Sequence, residues 1–251
     1  TGPGNPRNGE GDVVELRDGR LLMAWTRFSG PDDHSQGDIW GRYSHDGGFT
    51  WSEPFLLQEN LGGCNVMCVS FLRLHSGALL LGFAIKNHES ADCHMYVRRS
   101  GDDGKTWSEP ILASPEEGYM GANNDRLVQL ASGRIILPVF KCVGEYYHSL
   151  TSCFCSDDDG RSWRRLPPRL DIPGRVGAGE PGVLQCADGS LWMWLRTDKQ
   201  RIYACRSLDE GESWSDPTPT ELVAPISPAS AARLPGSADI LMIYNDRRAC
   251  P

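Results

Sequence analysis

The 251-residue sequence predicts an all-β protein made of repeated four-stranded blades, the unit of a β-propeller. Three observations predict this fold. An eight-residue motif recurs four times, a hairpin-turn signal recurs in phase with it, and no helical periodicity of any length competes with the strands. Residues 1–251 are therefore expected to form a single domain of repeated units. The domain is expected to be incomplete, because its last unit is only half a blade.

The recurring motif reads S-x-D-x-G-x-[ST]-W, and its copies occupy residues 44–51, 100–107, 156–163 and 207–214. The Ser, Thr and Asp side chains of such a segment hydrogen-bond to nearby backbone N–H groups, and its glycine accepts a positive φ. Each copy is therefore predicted to be a turn between two strands, here called a box turn, with its tryptophan buried on apolar surface. The copies lack the further carboxylates of a calcium loop, so no metal is expected in them.

A tight-turn signal precedes each box turn, at Asp18-Gly19, Ser76-Gly77, Ser132-Gly133 and Asp188-Gly189, and an apolar strand follows each signal. Each blade thus reads strand a, tight turn, strand b, longer loop, strand c, box turn, strand d. The expected blades are residues 11–58, 65–113, 125–166 and 181–222, with half of a fifth from residue 230. Half a blade leaves strand edges unpaired, so we expect this chain by itself to aggregate readily.

The topology of such a blade separates two faces of the propeller. The a–b turns and the box turns share one rim, whereas the b–c loops and the starts of the a strands meet near the axis on the other face. Function is expected on this second face, because its longer loops are rich in Arg, Asp, Asn and His. Arginines from separate blades suit a carboxylate-bearing ligand, since a guanidinium pairs a carboxylate bidentately. For any single one of these charged residues, the alternative is that it forms an ion pair at the solvated rim and has no functional role.

Composition argues against several other classes of function. The net charge of −8 offers no footprint for nucleic acid, and no Lys/Arg run suggests an anionic membrane surface. No apolar run is long enough to insert in a membrane, and no signal peptide is apparent, which leaves the compartment open. The nine cysteines lack the paired spacing of a zinc site and are interpreted as buried free thiols. In Cys153-Phe154-Cys155 the two sulfurs are expected on one face of a strand.

These motifs resemble the sialidases (neuraminidases) and related proteins with Asp-box repeats, which are six-bladed propellers. The resemblance covers essentially the whole chain, which would supply about four and a half of the six blades. It implies a glycoside hydrolase of the exo-α-sialidase type that takes a sialylated or other acidic glycan, releases terminal sialic acid and needs no cofactor. A propeller hydrolase for another acidic sugar and a non-catalytic glycan-binding propeller are the open alternatives.

Local matches to this family imply a set of site residues. Segment 24–34 resembles the sialidase segment that ends a strand with an arginine, here Arg27, and then supplies the general acid/base, here Asp33, with Asp32 as its neighbouring rival. Glu180 resembles the glutamate that assists the nucleophile, and Arg196 resembles one of three carboxylate-binding arginines. Arg27 and Arg196 are both expected to face the axial pocket.

The two ends of the chain depart from the family pattern. Arg7 takes the position of the first of the three carboxylate-binding arginines if the loop before the first strand is lengthened. Otherwise Glu10 occupies that position, and its negative charge would repel an anionic substrate. Arg247 lies near the position of the third arginine, and the nucleophilic tyrosine of the family has no counterpart before Pro251.

Overall fold

We describe a computed structural model of the chain, covering residues 1–2, 4–144 and 148–246. These residues form strands joined by turns and loops, and the expected all-β fold is confirmed. Within the same residues, no helix has the length and apolar character of a membrane span.

The strands group into four antiparallel blades and a final hairpin. Blade 1 holds β1 (Arg7–Glu15), β2 (Leu21–Phe28), β3 (Gly37–Ser44) and β4 (Phe55–Gln58). Blade 2 holds β5 (Asn65–Arg73), β6 (Leu79–Lys86), β7 (Cys93–Ser100) and β8 (Ile111–Leu112). Blade 3 holds β9 (Tyr119–Gly121), β10 (Val128–Gln129), β11 (Ile135–Val143), β12 (His148–Ser156) and β13 (Arg164–Arg165). Blade 4 holds β14 (Gly179–Gln185), β15 (Leu191–Arg196), β16 (Arg201–Ser207) and β17 (Thr218–Val223), and the hairpin holds β18 (Ser230–Arg233) and β19 (Ile240–Ile243).

The blade limits differ from the prediction where the first strand of a blade is irregular. β1 begins at Arg7 rather than at residue 11, and blade 4 begins at Gly179 rather than at 181. The first strand of blade 3 is split in two: β9 and β10 both pair with β11, and residues 122–127 leave the ladder between them. Periodicity alone cannot locate such interruptions, because the apolar pattern breaks at the same point.

Apolar layers between neighbouring blades form the core. One layer joins blades 1 and 2, a second joins blades 2 and 3, a third joins blades 3 and 4, and a fourth joins blade 4 to the final hairpin. Cys153 and Cys155 are both buried in the third layer, whereas Phe154 between them lies in the second. The predicted alternation of this segment is therefore confirmed.

The box turns are held by their own side chains. In the first, the Ser44 hydroxyl accepts from the Gly48 N–H at 2.9 Å, and Asp46 accepts from the backbone N–H of Thr50 at 2.8 Å and its hydroxyl at 2.6 Å. The other three copies repeat this pattern. These bonds lower the pKa of Asp46 to about 2, because they stabilise the carboxylate.

The expected burial of the four tryptophans is correct for one of them. Trp163 is buried, at 9% exposure, whereas Trp51, Trp107 and Trp214 are half-buried. The box turns share their rim with the tight turns, as predicted: the backbone N–H of Arg17 donates to Asp103 of the second box turn, and Arg134 reaches Glu212 of the fourth.

Gly182 is a position where close packing requires glycine. A β-carbon there would overlap the indole of Trp194, which is 3% exposed and whose Nε1 donates to the Ala229 carbonyl at 2.9 Å. Because this bond and the surrounding core hold the ring, we expect Gly182→Ala to destabilise the protein by about 1–3 kcal/mol in urea unfolding. Gly101→Ala is the matched control, since a β-carbon there meets no atom within 4 Å. Equal unfolding midpoints for the two variants would contradict the expectation.

Candidate active site

A β-bulge repeats at the inner end of the first strand in three blades. The register slips by one residue between Gly9 and Asp12, between Met67 and Ser70, and between Gly179 and Gly182. Each bulge places one non-glycine residue at positive φ: Glu10 at 59°, Cys68 at 64° and Glu180 at 39°. A positive φ is uncommon for such residues, and bulges of this kind often redirect a side chain beside an active site.

These bulges occupy equivalent places in their blades. In each case the last regular pair before the bulge involves a residue seven positions after the tight-turn glycine, namely Thr26 after Gly19, Ala84 after Gly77 and Arg196 after Gly189. The same count in blade 3 leads to Phe140, the partner of Gly121, so Ala122 is the counterpart of the three bulge residues. Sequence reasoning identified Glu10 and Glu180 separately and did not reveal that they are equivalent.

All four equivalent residues line one cavity of about 320 Å³. Its walls combine acidic, basic, thiol and aromatic groups, and include Glu10, Asp33, His34, Cys68, Lys86, Glu89, Cys93, Tyr119, Ala122, Asn123, Phe140, Cys142 and Glu180. The four box-turn aspartates are not among them. The cavity therefore lies on the face where function was expected, and it collects both predicted catalytic carboxylates.

The loop after β2 separates the roles of its two adjacent aspartates. One Asp32 oxygen accepts hydrogen bonds at 2.9 Å from the backbone N–H groups of His34 and Ser35 and from the Ser35 hydroxyl. These bonds lower the pKa of Asp32 and hold the loop. Asp33 instead lines the cavity; its carboxylate forms an ion pair with Arg7, and its side chain remains 52% exposed. Of these two aspartates, Asp33 is the one that lines the cavity.

The position of Asp33 is fixed through its backbone. Its carbonyl oxygen accepts a hydrogen bond from the Asn65 side-chain amide at 2.9 Å and another from the Lys86 ammonium at 3.0 Å. Asn65 and Lys86 are both buried, at 0% and 1% exposure. A half-exposed carboxylate is thus anchored to blade 2, although it belongs to a loop of blade 1.

Glu180 lies at the start of β14 beside Arg196 of β15. One carboxylate oxygen accepts from the Arg196 guanidinium at 2.5 Å. The other, Oε2, is buried and has no hydrogen-bond partner within the described chain. Because an unsatisfied buried oxygen is costly, this atom is suited to accept a proton or a hydrogen bond from a ligand.

Glu10 is the third carboxyl of the cavity, and its surroundings favour its neutral form. Its Oε2 accepts a hydrogen bond from the Cys68 thiol at 2.9 Å. Burial raises the pKa of Glu10, and the negative charges of Asp33 and Glu180 raise it further, while the hydrogen bond from Cys68 and the charge of Arg7 oppose this rise in part. The sequence left open whether Arg7 or Glu10 occupies the position of the first carboxylate-binding arginine. In the structure both residues are near it: Glu10 lines the cavity, and Arg7 forms an ion pair with Asp33.

The expectation that Arg27 faces the axial pocket is wrong. Along β2, Arg27 shares a side with Trp25, and its guanidinium lies 4.8 Å from the ring centre of Trp40. It lines two clefts on that outer face of blade 1 and not the central cavity. The opposite face of β2, with Ala24 and Thr26, is the buried one. Arg196 lines an adjoining pocket together with Glu180, and Arg247 lies outside the described residues.

Two wall groups, Tyr119 and the thiols, were not among the predicted site residues. Burial raises the pKa of Tyr119, and the Tyr119 hydroxyl forms a hydrogen bond with the Cys93 thiol. Burial also raises the pKa of Cys93 to about 12 and that of Cys142 to about 11, so these thiols are protonated and unreactive at neutral pH. Among the residues that the structure describes, no cluster of His, Cys, Asp and Glu is arranged to hold a metal ion.

Comparisons with known proteins give a family match over most of the chain. The model of the BNR repeat-like domain matches residues 19–249. The anhydrosialidase of Macrobdella decora is 28% identical over an alignment of 143 residues, which covers 53% of this chain and 18% of that protein. The sialidase of Clostridium perfringens is 25% identical over an alignment of 236 residues, which covers 81% of this chain and 59% of that protein. This chain therefore spans less than two thirds of either curated relative.

Solved structures show the same fold at low identity. A protein of unknown function from Dyadobacter fermentans has a TM-score of 0.83 at 19% identity, covering 97% of this chain and 76% of that one. The Hadza microbial sialidase Hz136 has a TM-score of 0.76 at 18% identity, covering 92% and 51%. The blades seen here are thus arranged as in a propeller of the sialidase type.

Proposed function

The chain belongs to the BNR repeat-like family within the sialidase superfamily, and from this premise we propose that it is a glycoside hydrolase of the exo-α-sialidase type. Its substrate would be a sialylated glycan, from which it releases the terminal sialic acid. We also propose that residues 1–251 belong to one propeller domain.

One observation carries this proposal: Asp33 and Glu180, from blades 1 and 4, line the same cavity in different surroundings. Asp33 is half-exposed on a loop beside Arg7, whereas Glu180 is mostly buried on a strand beside Arg196. A pair of carboxyl groups in contrasting surroundings is what acid/base division of labour requires.

The proposed roles follow from these surroundings. Asp33 protonates the leaving glycosidic oxygen and later removes a proton from the attacking water. Glu180 uses Oε2 to accept the proton of the attacking group. Sialic acid carries a carboxylate on its anomeric carbon, so a carboxylate nucleophile would be repelled, and sialidases use a tyrosine instead. Tyr119 is a poor candidate for that tyrosine, because its raised pKa disfavours the phenoxide.

A second candidate function has its own supporting observation. Arg7 is paired with Asp33 and Arg196 with Glu180, so each guanidinium already faces a carboxylate of the protein. This favours a sugar whose acidic group lies away from these two arginines, as in a hydrolase for another acidic sugar, or a glycan-binding propeller without turnover.

Hydrolysis of a fluorogenic sialoside tests the proposal directly. We expect turnover by the wild-type protein and none by a double variant, Asp33→Asn with Glu180→Gln, purified in the same way to reveal contaminating activity. If the wild type released no more fluorophore than the double variant, the hydrolase proposal would be rejected. Saturable binding of sialyllactose without turnover would then support the glycan-binding alternative.

A further inference from the structure

Lys86 is a buried cation in the wall of the cavity. It is the last residue of β6, where it follows seven buried residues, and its own exposure is 1%. The side chain lines the central cavity beside Asp33, Cys93 and Tyr119. A lysine is almost never buried to this extent unless something compensates its charge.

The contacts of Lys86 leave part of its charge unmatched. Its Nζ donates to the Asp33 carbonyl at 3.0 Å and lies 5.5 Å from the ring centre of Tyr119. An ammonium has three N–H donors, and this carbonyl accepts from one of them. Within residues 1–2, 4–144 and 148–246, Lys86 forms no ion pair within 4.0 Å.

The other charges of the cavity are largely balanced. Arg7 neutralises Asp33 and Arg196 neutralises Glu180, while the raised pKa of Glu10 favours its uncharged form. Glu89 is exposed to solvent at the cavity wall, where water screens its charge. Burial raises the pKa of both Cys93 and Cys142, and the charge of Lys86 opposes this rise in part, so its field acts across this wall.

We propose that Lys86 binds the carboxylate of an acidic sugar in this cavity, a task for which the family resemblance implied arginines. This proposal rests on the proposed function, because it assigns the acidic group of the substrate to a place in the same site. It explains how a cavity with four acidic residues in its wall accepts an anion.

The arrangement also couples binding to catalysis. The ammonium that would hold the substrate carboxylate also holds the backbone of Asp33. An anion at Lys86 therefore lies beside the loop that carries the proposed acid, and the leaving oxygen is brought to the same end of the cavity.

The test compares two probes that differ in charge, N-acetylneuraminic acid and its methyl ester, by titration calorimetry. We expect the wild type to prefer the acid. Lys86→Met should weaken binding of the acid about tenfold or more, the size of one charge-assisted hydrogen bond, while binding of the ester is unchanged. Lys141→Met is the matched control, because Lys141 is paired with Glu116 at 2.9 Å and does not line the cavity.

Each outcome decides the proposal separately from the hydrolase activity. If Lys86→Met kept the wild-type preference for the acid, or if the wild type showed no such preference, Lys86 would not be the carboxylate-binding residue. Loss of preference in a protein that hydrolyses no sialoside would support the Lys86 site and reject the proposed hydrolase. Unchanged binding of the ester excludes a collapse of the cavity as the cause, and Lys86→Arg, which keeps the charge, should retain part of the preference.

Discussion

Asp33→Asn is expected to slow hydrolysis of sialyllactose by roughly 10²–10⁴-fold, the usual contribution of a general acid. A 4-methylumbelliferyl sialoside should lose much less, because its leaving group is a weak base and needs little protonation. The difference arises because asparagine fills the same volume but cannot supply the proton. kcat/KM for the two substrates, measured on the same preparations, gives the comparison.

The neighbouring aspartate offers a matched control for this result. Asp32 accepts its three hydrogen bonds through one oxygen, and the amide oxygen of an asparagine can take the place of that oxygen as an acceptor. Asp32→Asn should therefore leave both rates within a few-fold of the wild type. Equal losses on the two substrates for Asp33→Asn would remove Asp33 from the acid/base role, and a large loss for Asp32→Asn alone would transfer that role to Asp32.

Glu180→Gln is expected to slow both substrates by a similar factor, again on the order of 10²–10⁴. The reason is that, in the proposed mechanism, Glu180 acts on the attacking side, where the quality of the leaving group does not matter. Glutamine keeps the side-chain volume but cannot take up the proton through the atom that Oε2 now occupies. Single-turnover rates with the two substrates separate this loss from any change in affinity.

Glu89→Gln is the control for loss of a negative charge from the cavity, because Glu89 lines the wall but is exposed and makes no ion pair within the described residues. Its rates should stay close to those of the wild type. A loss for Glu180→Gln that fell mainly on the natural substrate would contradict the assignment and place Glu180 on the leaving-group side.

The fold was predictable because each repeat carries its structure locally. The box turns are held by bonds among residues at most four positions apart, so their spacing in the sequence gives the spacing of the blades. The irregular inner ends of the first strands were not predictable. The bulges at Glu10 and Cys68 both depend on pairing with a strand some 15 residues away, and the residues around each bulge do not predict it.

The site was predictable in part for a similar reason. Asp33 and Glu180 follow recognisable local patterns, and both line the cavity. Arg27 follows such a pattern too, but the alternation of β2 puts it on the side of Trp25, away from the cavity. Lys86 carries a weaker signal in the sequence, because a lysine that ends an otherwise apolar strand lies either at a surface or in a site.

The repeated bulge has a consequence for how this architecture diversifies. The backbone alone creates the position, since the same irregularity holds a glutamate in blades 1 and 4 and a cysteine in blade 2. A left-handed conformation costs a non-glycine residue about 1–2 kcal/mol. Pairing and packing in the surrounding blade offset this cost, whichever side chain is present. Substitution of the residue at one of these bulges therefore alters the charge or the reactivity of the central cavity without disturbing strand pairing. The chemistry of the cavity can therefore change by point mutation at these few bulge positions, while the blades themselves stay as they are.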